Sequence, residues 1–276
     1  MISAPDTPTA DDALLTAYEK AGAEDLDPRC VPQMLEGAAP VGDEILYPGY
    51  SDIDQKTWRI LYKRQMEYLP GRACTAYLRG AQAITMGGER IPALSKLSAR
   101  LNEATGWTVA RVPGLLHERD FFTLLSERVF PSTDYIRGRE ELDYTPAPDL
   151  FHDIFGHMPM LTEPDFADFY QLFGRAALKA TGQQRIEMER MHWFSVEFGL
   201  VQEADGLRIF GAGILSSKGE VENALSDKVE KLPFSPAAVA AQDYDVWHLQ
   251  PRLFVLESFE QLVSEFTDWA KGQDLL

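Results

Sequence analysis

Apolar side chains recur at helical spacing along most of this chain. Over residues 54–69, Trp58 and Leu61 fall on one helical face, with charged positions between the apolar ones. Asp54 is the predicted N-terminal cap of this helix, and the Pro-Gly pair at 70–71 predicts its end. The same spacing predicts further helices at residues 11–23, 73–85, 92–104, 119–130, 150–156, 164–180, 183–203, 219–225 and 258–271.

Signals for β-strands are short. Residues 108–112 alternate and are rich in β-branched side chains, and residues 207–210 and 252–255 are shorter candidates. Prolines and charges interrupt residues 131–149, which are predicted to form a loop. The pattern therefore predicts a mainly α fold with minor β structure. Residues 10–276 are expected to form one domain, after a disordered tail over residues 1–9.

Charge and cysteine content narrow the function classes. The 276 residues carry a net charge of −17 without a cluster of Lys or Arg, which argues against nucleic acid and anionic lipid as partners. Cys30 and Cys74 are too few for a cysteine metal site or a disulfide framework. No apolar run is long enough to span a bilayer, and the first ten residues lack a signal-peptide pattern. We therefore expect a cytoplasmic protein that makes no membrane contact.

His152 and His157 lie five positions apart in an apolar segment. In a straight α-helix this spacing would separate the two imidazoles by roughly 140° around the axis. A shared metal therefore requires the backbone path to change, and Gly156 and Pro159 offer a reason for such a change. A histidine pair in an apolar segment is also compatible with a purely structural role.

Glu197 is a third candidate ligand because it stands among Phe, Val and Leu, where a buried charge is costly without a cation. Two imidazoles and one carboxylate match the facial ligand set of non-haem iron(II) oxygenases. Zinc accepts the same donors, so a zinc hydrolase remains an alternative. The spacing differs from the zinc-protease motif, whose histidines lie four apart with Glu after the first.

Three long blocks of sequence carry a resemblance to a known family. They are Thr145-Pro146-Ala147-Pro148-Asp149 leading to His152 and His157, then residues 193–200, then residues 210–217. In this order they resemble the signatures of the pterin-dependent aromatic amino acid hydroxylases, with the compact bacterial phenylalanine-hydroxylating members as the nearest group. The resemblance covers about residues 47–259. It implies a single catalytic domain with helices around a central iron-containing cleft.

The resemblance implies cofactors and the residues that hold them. The cofactors are iron(II) and tetrahydrobiopterin or a related tetrahydropterin, with O2 as co-substrate. The implied iron ligands are His152, His157 and Glu197. The implied pterin-binding positions are Val112, Gly114, Leu116, Phe121 and Asp153.

An aromatic amino acid is the implied substrate, and phenylalanine, hydroxylated to tyrosine, is favoured. The implied substrate-binding positions are Arg137, Thr145, Trp193, Gly213, Ser216 and Val246. Arg137 would hold the substrate carboxylate and Trp193 would provide an aromatic wall. Val246 suits an unsubstituted ring, because a buried phenol would lack a partner there. Tryptophan 5-hydroxylation and phenylalanine 3-hydroxylation stay open, and a monomer is expected.

Four positions depart from the pattern of the family. Asp153 replaces a usual Glu beside the first ligand, and His192 replaces a usual Tyr before Trp193. Ala147 replaces a Glu, and Pro131 stands where the animal phenylalanine enzyme has His. The three candidate ligands are intact, so these departures put rates and pterin affinity in question more than the reaction.

Overall fold

The computed structural model describes residues 16, 17, 20, 27–143, 145, 147–246 and 248–276. The tail predicted over residues 1–9 lies outside the described residues, as does the helix predicted over residues 11–23 apart from positions 16, 17 and 20. Within the described part, no helix has the length and apolar character needed to cross a membrane. About half of the structure is helical and strands are few, so the predicted mainly α class is confirmed.

Ten α-helices are found in the described residues. They are α1 Asp52–Tyr68, α2 Thr75–Ala83, α3 Leu94–Thr105, α4 Glu118–Ser126, α5 Pro164–Ala177, α6 Gln183–His192, α7 Ala212–Leu215, α8 Lys218–Ala224, α9 Pro236–Ala241 and α10 Phe259–Gly272. Short 3-10 helices lie at Pro28–Cys30, Gly42–Glu44, Arg139–Glu141 and Met158–Thr162. Two π-helical turns lie at His152–His157 and Trp193–Glu197.

The strands of the described part form two small sheets. Their bounds are β1 Thr108–Arg111, β2 Val129–Ser132, β3 Leu200–Glu203, β4 Gly206–Ile209, β5 Glu230–Pro233 and β6 Arg252–Leu256. Strands β1 and β2 pair in parallel, with Val109 opposite Phe130. The second sheet has the order β4-β3-β6-β5, in which β3 pairs antiparallel with β4 and parallel with β6.

The N-cap of helix α1 lies three residues before the predicted cap. Ser51 is the N-cap, its hydroxyl accepts from the Asp54 N–H, and the Asp54 carboxylate accepts from the Ser51 N–H. Asp54 is therefore the second half of a capping box rather than the cap itself. The apolar face behaves as predicted, since Trp58 and Leu61 are fully buried.

Two predicted helices were too long. The segment predicted as a helix over residues 183–203 contains α6, a π-helical turn and then β3. The segment predicted over residues 119–130 ends its helix at Ser126, and its last two residues enter β2. In both cases an apolar run continues without a break in composition, and pairing with a distant strand decides its conformation.

Helix α2 sets the position of the chain that follows His157. A Cβ atom on Gly80 would lie 2.1 Å from the Pro159 carbonyl oxygen and 2.6 Å from the Thr162 hydroxyl oxygen. The 3-10 helix Met158–Thr162 therefore packs directly on the backbone of α2, which only glycine permits.

We expect Gly80→Ala to lower the free energy of unfolding by about 1–3 kcal/mol, because the clash involves rigid backbone. Thermal unfolding followed by circular dichroism measures it. Gly272→Ala is the matched control, since a Cβ there meets nothing within 4 Å. Equal melting temperatures for the two variants would contradict this account of the packing.

Candidate metal centre and its two cavities

A π-helical turn brings His152 and His157 to the same side of the chain. The Met158 N–H donates to the Asp153 carbonyl, five residues back, instead of four as in an α-helix. The wider turn places side chains five apart nearly one above the other. The two Nε2 atoms are 3.0 Å apart, and the rings are nearly perpendicular. The backbone path between His152 and His157 therefore departs from an α-helix, as a shared metal requires, and the departure is a π-helical turn.

Gly156 allows this turn to pack closely. A Cβ atom on Gly156 would lie 2.8 Å from the Ala212 carbonyl oxygen and 3.1 Å from the Ala212 Cβ. The turn therefore rests on α7 at a distance that a larger residue would not allow. Gly156 thus acts through close approach rather than by breaking a helix.

Glu197 ends the second π-helical turn, in which the Phe198 N–H donates to the Trp193 carbonyl at 2.8 Å. Its Oε1 is 3.1 Å from His157 Nε2 and its Oε2 is 3.6 Å from His152 Nε2. One donor atom from each of the three residues lies within 4.8 Å of the other two. The structure thus brings together three side chains that are distant in sequence, at a spacing that one metal ion could bridge.

The protonation states of these groups suit a cation. Burial alone would disfavour ionised Glu197, but the His157 and His152 imidazoles outweigh it and hold the pKa of Glu197 well below its usual range. Burial lowers the pKa of His152 to about 4. A neutral imidazole and an ionised carboxylate are the forms that coordinate metals, so the donor set fits one.

Ser216 orients the His152 ring. The Ser216 hydroxyl donates to the Ala212 carbonyl at 2.8 Å, so its oxygen accepts from His152 Nδ1–H at 3.0 Å. This bond selects the tautomer whose Nε2 lone pair faces His157 and Glu197. The contact was not foreseen from the sequence, where Ser216 was predicted only to bind substrate.

A first cavity, cavity A, opens on one side of this cluster. It is lined in part by the five positions predicted to bind pterin: Val112, Gly114, Leu116, Phe121 and Asp153. Phe121 is half-buried and meets the His192 ring edge to face at 5.7 Å. The cavity thus has a glycine-containing loop and an aromatic ring on its wall, as a flat ligand requires.

A second cavity, cavity B, opens on the other side. It is lined in part by the six positions predicted to bind substrate: Arg137, Thr145, Trp193, Gly213, Ser216 and Val246. The residues that line both cavities are Leu115, Pro148, His152 and Glu197. Two members of the three-residue cluster, His152 and Glu197, therefore lie where the two cavities adjoin.

Arg137 is held in cavity B by a carboxylate that sequence reasoning did not assign. Its Nε and Nη2 donate to the two oxygens of Asp149 at 2.9 and 2.7 Å. Asp149 is fully buried, and despite that burial Arg137 holds its pKa below the usual value. The pair fixes the guanidinium in a two-point geometry that leaves Nη1 without a protein partner in the described structure.

Asp153 is likewise fixed by a neighbour that the sequence did not reveal. Its Oδ2 accepts from the Thr133 N–H at 2.8 Å and from the Thr133 hydroxyl at 3.1 Å. Burial raises the pKa of Asp153 to about 7. Asp153 and Thr133 both line cavity A. Asp153 therefore lies on the cavity wall although it is shorter than the usual Glu.

His192 lies beside the cluster without joining it. Its Nδ1 is 3.9 Å from Glu197 Oε1, and its Nε2 is 2.9 Å from the Tyr170 hydroxyl. Burial lowers its pKa to about 4. Its ring lines cavity A, so His192 forms part of the wall next to the candidate ligands.

Comparison with known proteins identifies the class of enzyme to which this fold and site correspond. The family described as biopterin-dependent aromatic amino acid hydroxylase matches residues 35–274. The chain belongs to this family.

Individual relatives agree. A phenylalanine-4-hydroxylase of Pseudomonas aeruginosa is 42 % identical over 213 residues, which cover 77 % of this chain and 81 % of that protein. A tyrosine 3-monooxygenase of Drosophila melanogaster is 39 % identical over 232 residues, covering 83 % of this chain and 40 % of that protein. The crystal structure of Chromobacterium violaceum phenylalanine hydroxylase with iron(III) and 7,8-dihydrobiopterin matches with a TM-score of 0.78 and 39 % identity, covering 82 % of this chain and 83 % of that one.

The Ser216 contact predicts an effect on metal binding. We expect Ser216→Ala to weaken metal affinity by about 10- to 100-fold, because the His152 ring loses the bond that sets its tautomer. Competition between the protein and a chelator for Co²⁺ measures it. Ser264→Ala, on the exposed face of α10, should leave the affinity unchanged. An unchanged affinity in Ser216→Ala would show that the serine does not orient the ring.

Proposed function

We propose that this chain is a phenylalanine 4-monooxygenase, which hydroxylates the ring of L-phenylalanine to give L-tyrosine and consumes O2. The family and its phenylalanine-4-hydroxylase relatives support this function. The observation that carries it is the meeting of two cavities at a cluster of two histidines and one carboxylate. One cavity serves the pterin, and the other serves the amino acid.

His152, His157 and Glu197 would hold iron(II), and three ligands on one face leave open positions on the ion. Iron and a tetrahydropterin together supply the electrons and the activation of O2. The protein holds Glu197 ionised and His152 neutral, and Ser216 keeps the His152 Nε2 lone pair directed towards His157 and Glu197, where the ion would bind. His157 and Glu197 are buried and His152 is half-buried, which limits the access of bulk water.

In cavity A, we propose roles for the lining residues that were predicted to bind pterin. The loop carrying Val112, Gly114 and Leu116 would bond the edge of the pterin through its backbone. Phe121 would stack on the pterin face, and its contact with His192 limits the freedom of that ring. Asp153, which Thr133 fixes, would face the pterin from the π-helical turn that carries His152 and His157.

In cavity B, the substrate ring would lie against Trp193. That indole stacks on Tyr244 at 4.2 Å and on Phe198 at 4.4 Å, so it forms a wall with little freedom to move. Val246 adds apolar surface, which favours a ring without a hydroxyl. Gly213 and Thr145 complete the lining, and Arg137 would bind the substrate carboxylate.

We further propose that residues 10–276 act as a single domain, as a monomer in the cytoplasm. The net charge of −17 supports the monomer, since copies of the chain repel one another. Light scattering after gel filtration tests it, and a dimer mass would contradict it.

A product assay tests the function directly. The protein is loaded with iron(II) without oxygen, then given a tetrahydropterin, air and each aromatic amino acid in turn. We expect tyrosine from phenylalanine, coupled to O2 consumption. Predominant 5-hydroxytryptophan or 3-hydroxyphenylalanine would reassign the substrate or ring position. Zinc in the isolated protein without O2 uptake would instead favour the hydrolase.

We expect Glu197→Gln to lose iron and turnover together, because a neutral amide cannot replace the anionic ligand. The affinity for iron should fall by more than about 100-fold, which exceeds the usual loss for an outer-shell change. Iron content after desalting and tyrosine formation measure the two effects. Glu187→Gln on α6, which lines neither cavity, is the control. Full iron with normal turnover in Glu197→Gln would overturn the ligand assignment.

We expect Arg137→Lys to raise the KM for phenylalanine by about 10-fold or more and leave the KM for pterin within about twofold. Lysine keeps a cation beside Asp149 but loses the planar fork. Arg137→Ala is less informative, since it leaves the buried Asp149 carboxylate unpaired and should destabilise the fold by about 3–5 kcal/mol. Steady-state kinetics, in which phenylalanine and the pterin are varied in turn, measures the two KM values. Equal rises in both KM values would argue against the carboxylate role.

A further inference from the structure

Cavity B contains more acidic groups than the proposed ligand set explains. Three carboxylates line it: Asp143, Glu197 and Glu220. Arg137 supplies a cation to the same cavity. A free amino acid carries both a carboxylate and an ammonium group, so a cavity that selects it needs an anionic partner as well as a cationic one.

Two of these carboxylates are already engaged. Asp143 pairs with Arg64 at 2.6 Å, and its side chain is 95 % exposed. Glu197 faces the His152 and His157 imidazoles at the candidate metal centre. Neither is available to hold a substrate ammonium inside the cavity.

Glu220 is different, because it forms no ion pair with any residue that the structure describes. Its backbone N–H donates to the Ser217 hydroxyl, which caps α8, so the residue is fixed in the first turn of that helix. Its side chain is half-buried on the wall of cavity B. The nearby Lys218 is engaged elsewhere, with Glu222 at 3.6 Å and the Tyr68 ring at 5.5 Å.

The surroundings of Glu220 are therefore costly for a charge. Burial raises its pKa to about 7, and the neighbouring Asn223 amide offsets this only in part. A half-buried carboxylate on a cavity wall without a cation is destabilised until a cation arrives. An ammonium group in cavity B would remove that cost.

We propose that Glu220 binds the α-ammonium group of the amino acid substrate, while Arg137 binds its carboxylate. Glu220 is thus a specificity-determining residue that makes cavity B select zwitterions over aromatic acids without an amine. This inference rests on the proposed function, because it takes cavity B as the substrate site.

Ligand binding to Glu220→Gln tests the proposal. The probes are L-phenylalanine and 3-phenylpropanoate, which lacks the ammonium group, measured by calorimetry on the iron(II) protein without oxygen. We expect the Kd for L-phenylalanine to rise about 10- to 100-fold, as for loss of a bond to a charged group. The Kd for 3-phenylpropanoate should stay within about twofold or fall. A purely structural role would weaken the binding of both probes alike. That result, or an unchanged Kd for both probes, overturns the proposal.

Further variants separate the remaining outcomes. Glu222→Gln, two positions along α8 and outside both cavities, should bind both probes like the wild type. Selective loss of L-phenylalanine binding in Asp143→Asn instead of Glu220→Gln would assign the role to Asp143 and refute ours.

Stability and wild-type controls complete the test. Glu220→Gln removes an unpaired half-buried charge, so we expect its Tm to equal or exceed that of the wild type. Should that variant fail to fold, Glu220→Asp serves instead, because it keeps the charge but withdraws it by one methylene. It must weaken the binding of L-phenylalanine without weakening that of 3-phenylpropanoate. A wild type that neither binds nor hydroxylates any aromatic amino acid would contradict the proposed function itself, which is a result distinct from failure of the Glu220 role.

Discussion

The one-residue expansion of two helical turns controls the geometry of this site. Hydrogen bonds to the fifth residue back, rather than the fourth, bring His152 and His157 to one face and place Glu197 against them. Such turns are rare and occur mostly as single turns within α-helices, so packing around them is expected to support them. Close contacts at Gly156 and Gly211 provide that support, because a Cβ at Gly211 would lie 2.4 Å from the Glu197 carbonyl oxygen.

Burial without a compensating cation links the candidate centre and cavity B. Facing the His157 and His152 imidazoles, Glu197 has a pKa well below its usual range, and Glu220 lies on the cavity wall with no ion pair in the described structure. A folded protein tolerates such groups where an opposite charge neutralises them. Arg137 and Asp149 show the alternative, in which both charges come from the protein and the pair is complete before any ligand binds.

The periodicity of apolar residues predicted most of the helices, but it did not predict the arrangement of the site. Helices with a clear apolar stripe, such as α1 and α10, lie close to their predicted positions. Strand β5 was missed because its side chains do not alternate and its pairing with β6 is non-local. The residue pattern made His152, His157 and Glu197 candidate ligands, but their assignment to iron came from the family resemblance, since α-helical spacing argued against His152 and His157 sharing an ion. Thr133 was missed because it contacts Asp153 in another segment, and Glu220 was missed because only the fold brings it to the same cavity wall as Arg137; spacing along the chain encodes neither.

The lining that the two cavities share has a thermodynamic consequence. Leu115 and Pro148 face both spaces, together with His152 and Glu197. An occupant of one space that shifts any of these side chains reshapes the other space at the same time. By linkage, the factor by which the first occupant changes the affinity of the second equals the factor for the reverse order. Cooperativity between the two small molecules can therefore arise within one subunit, without any change of quaternary structure.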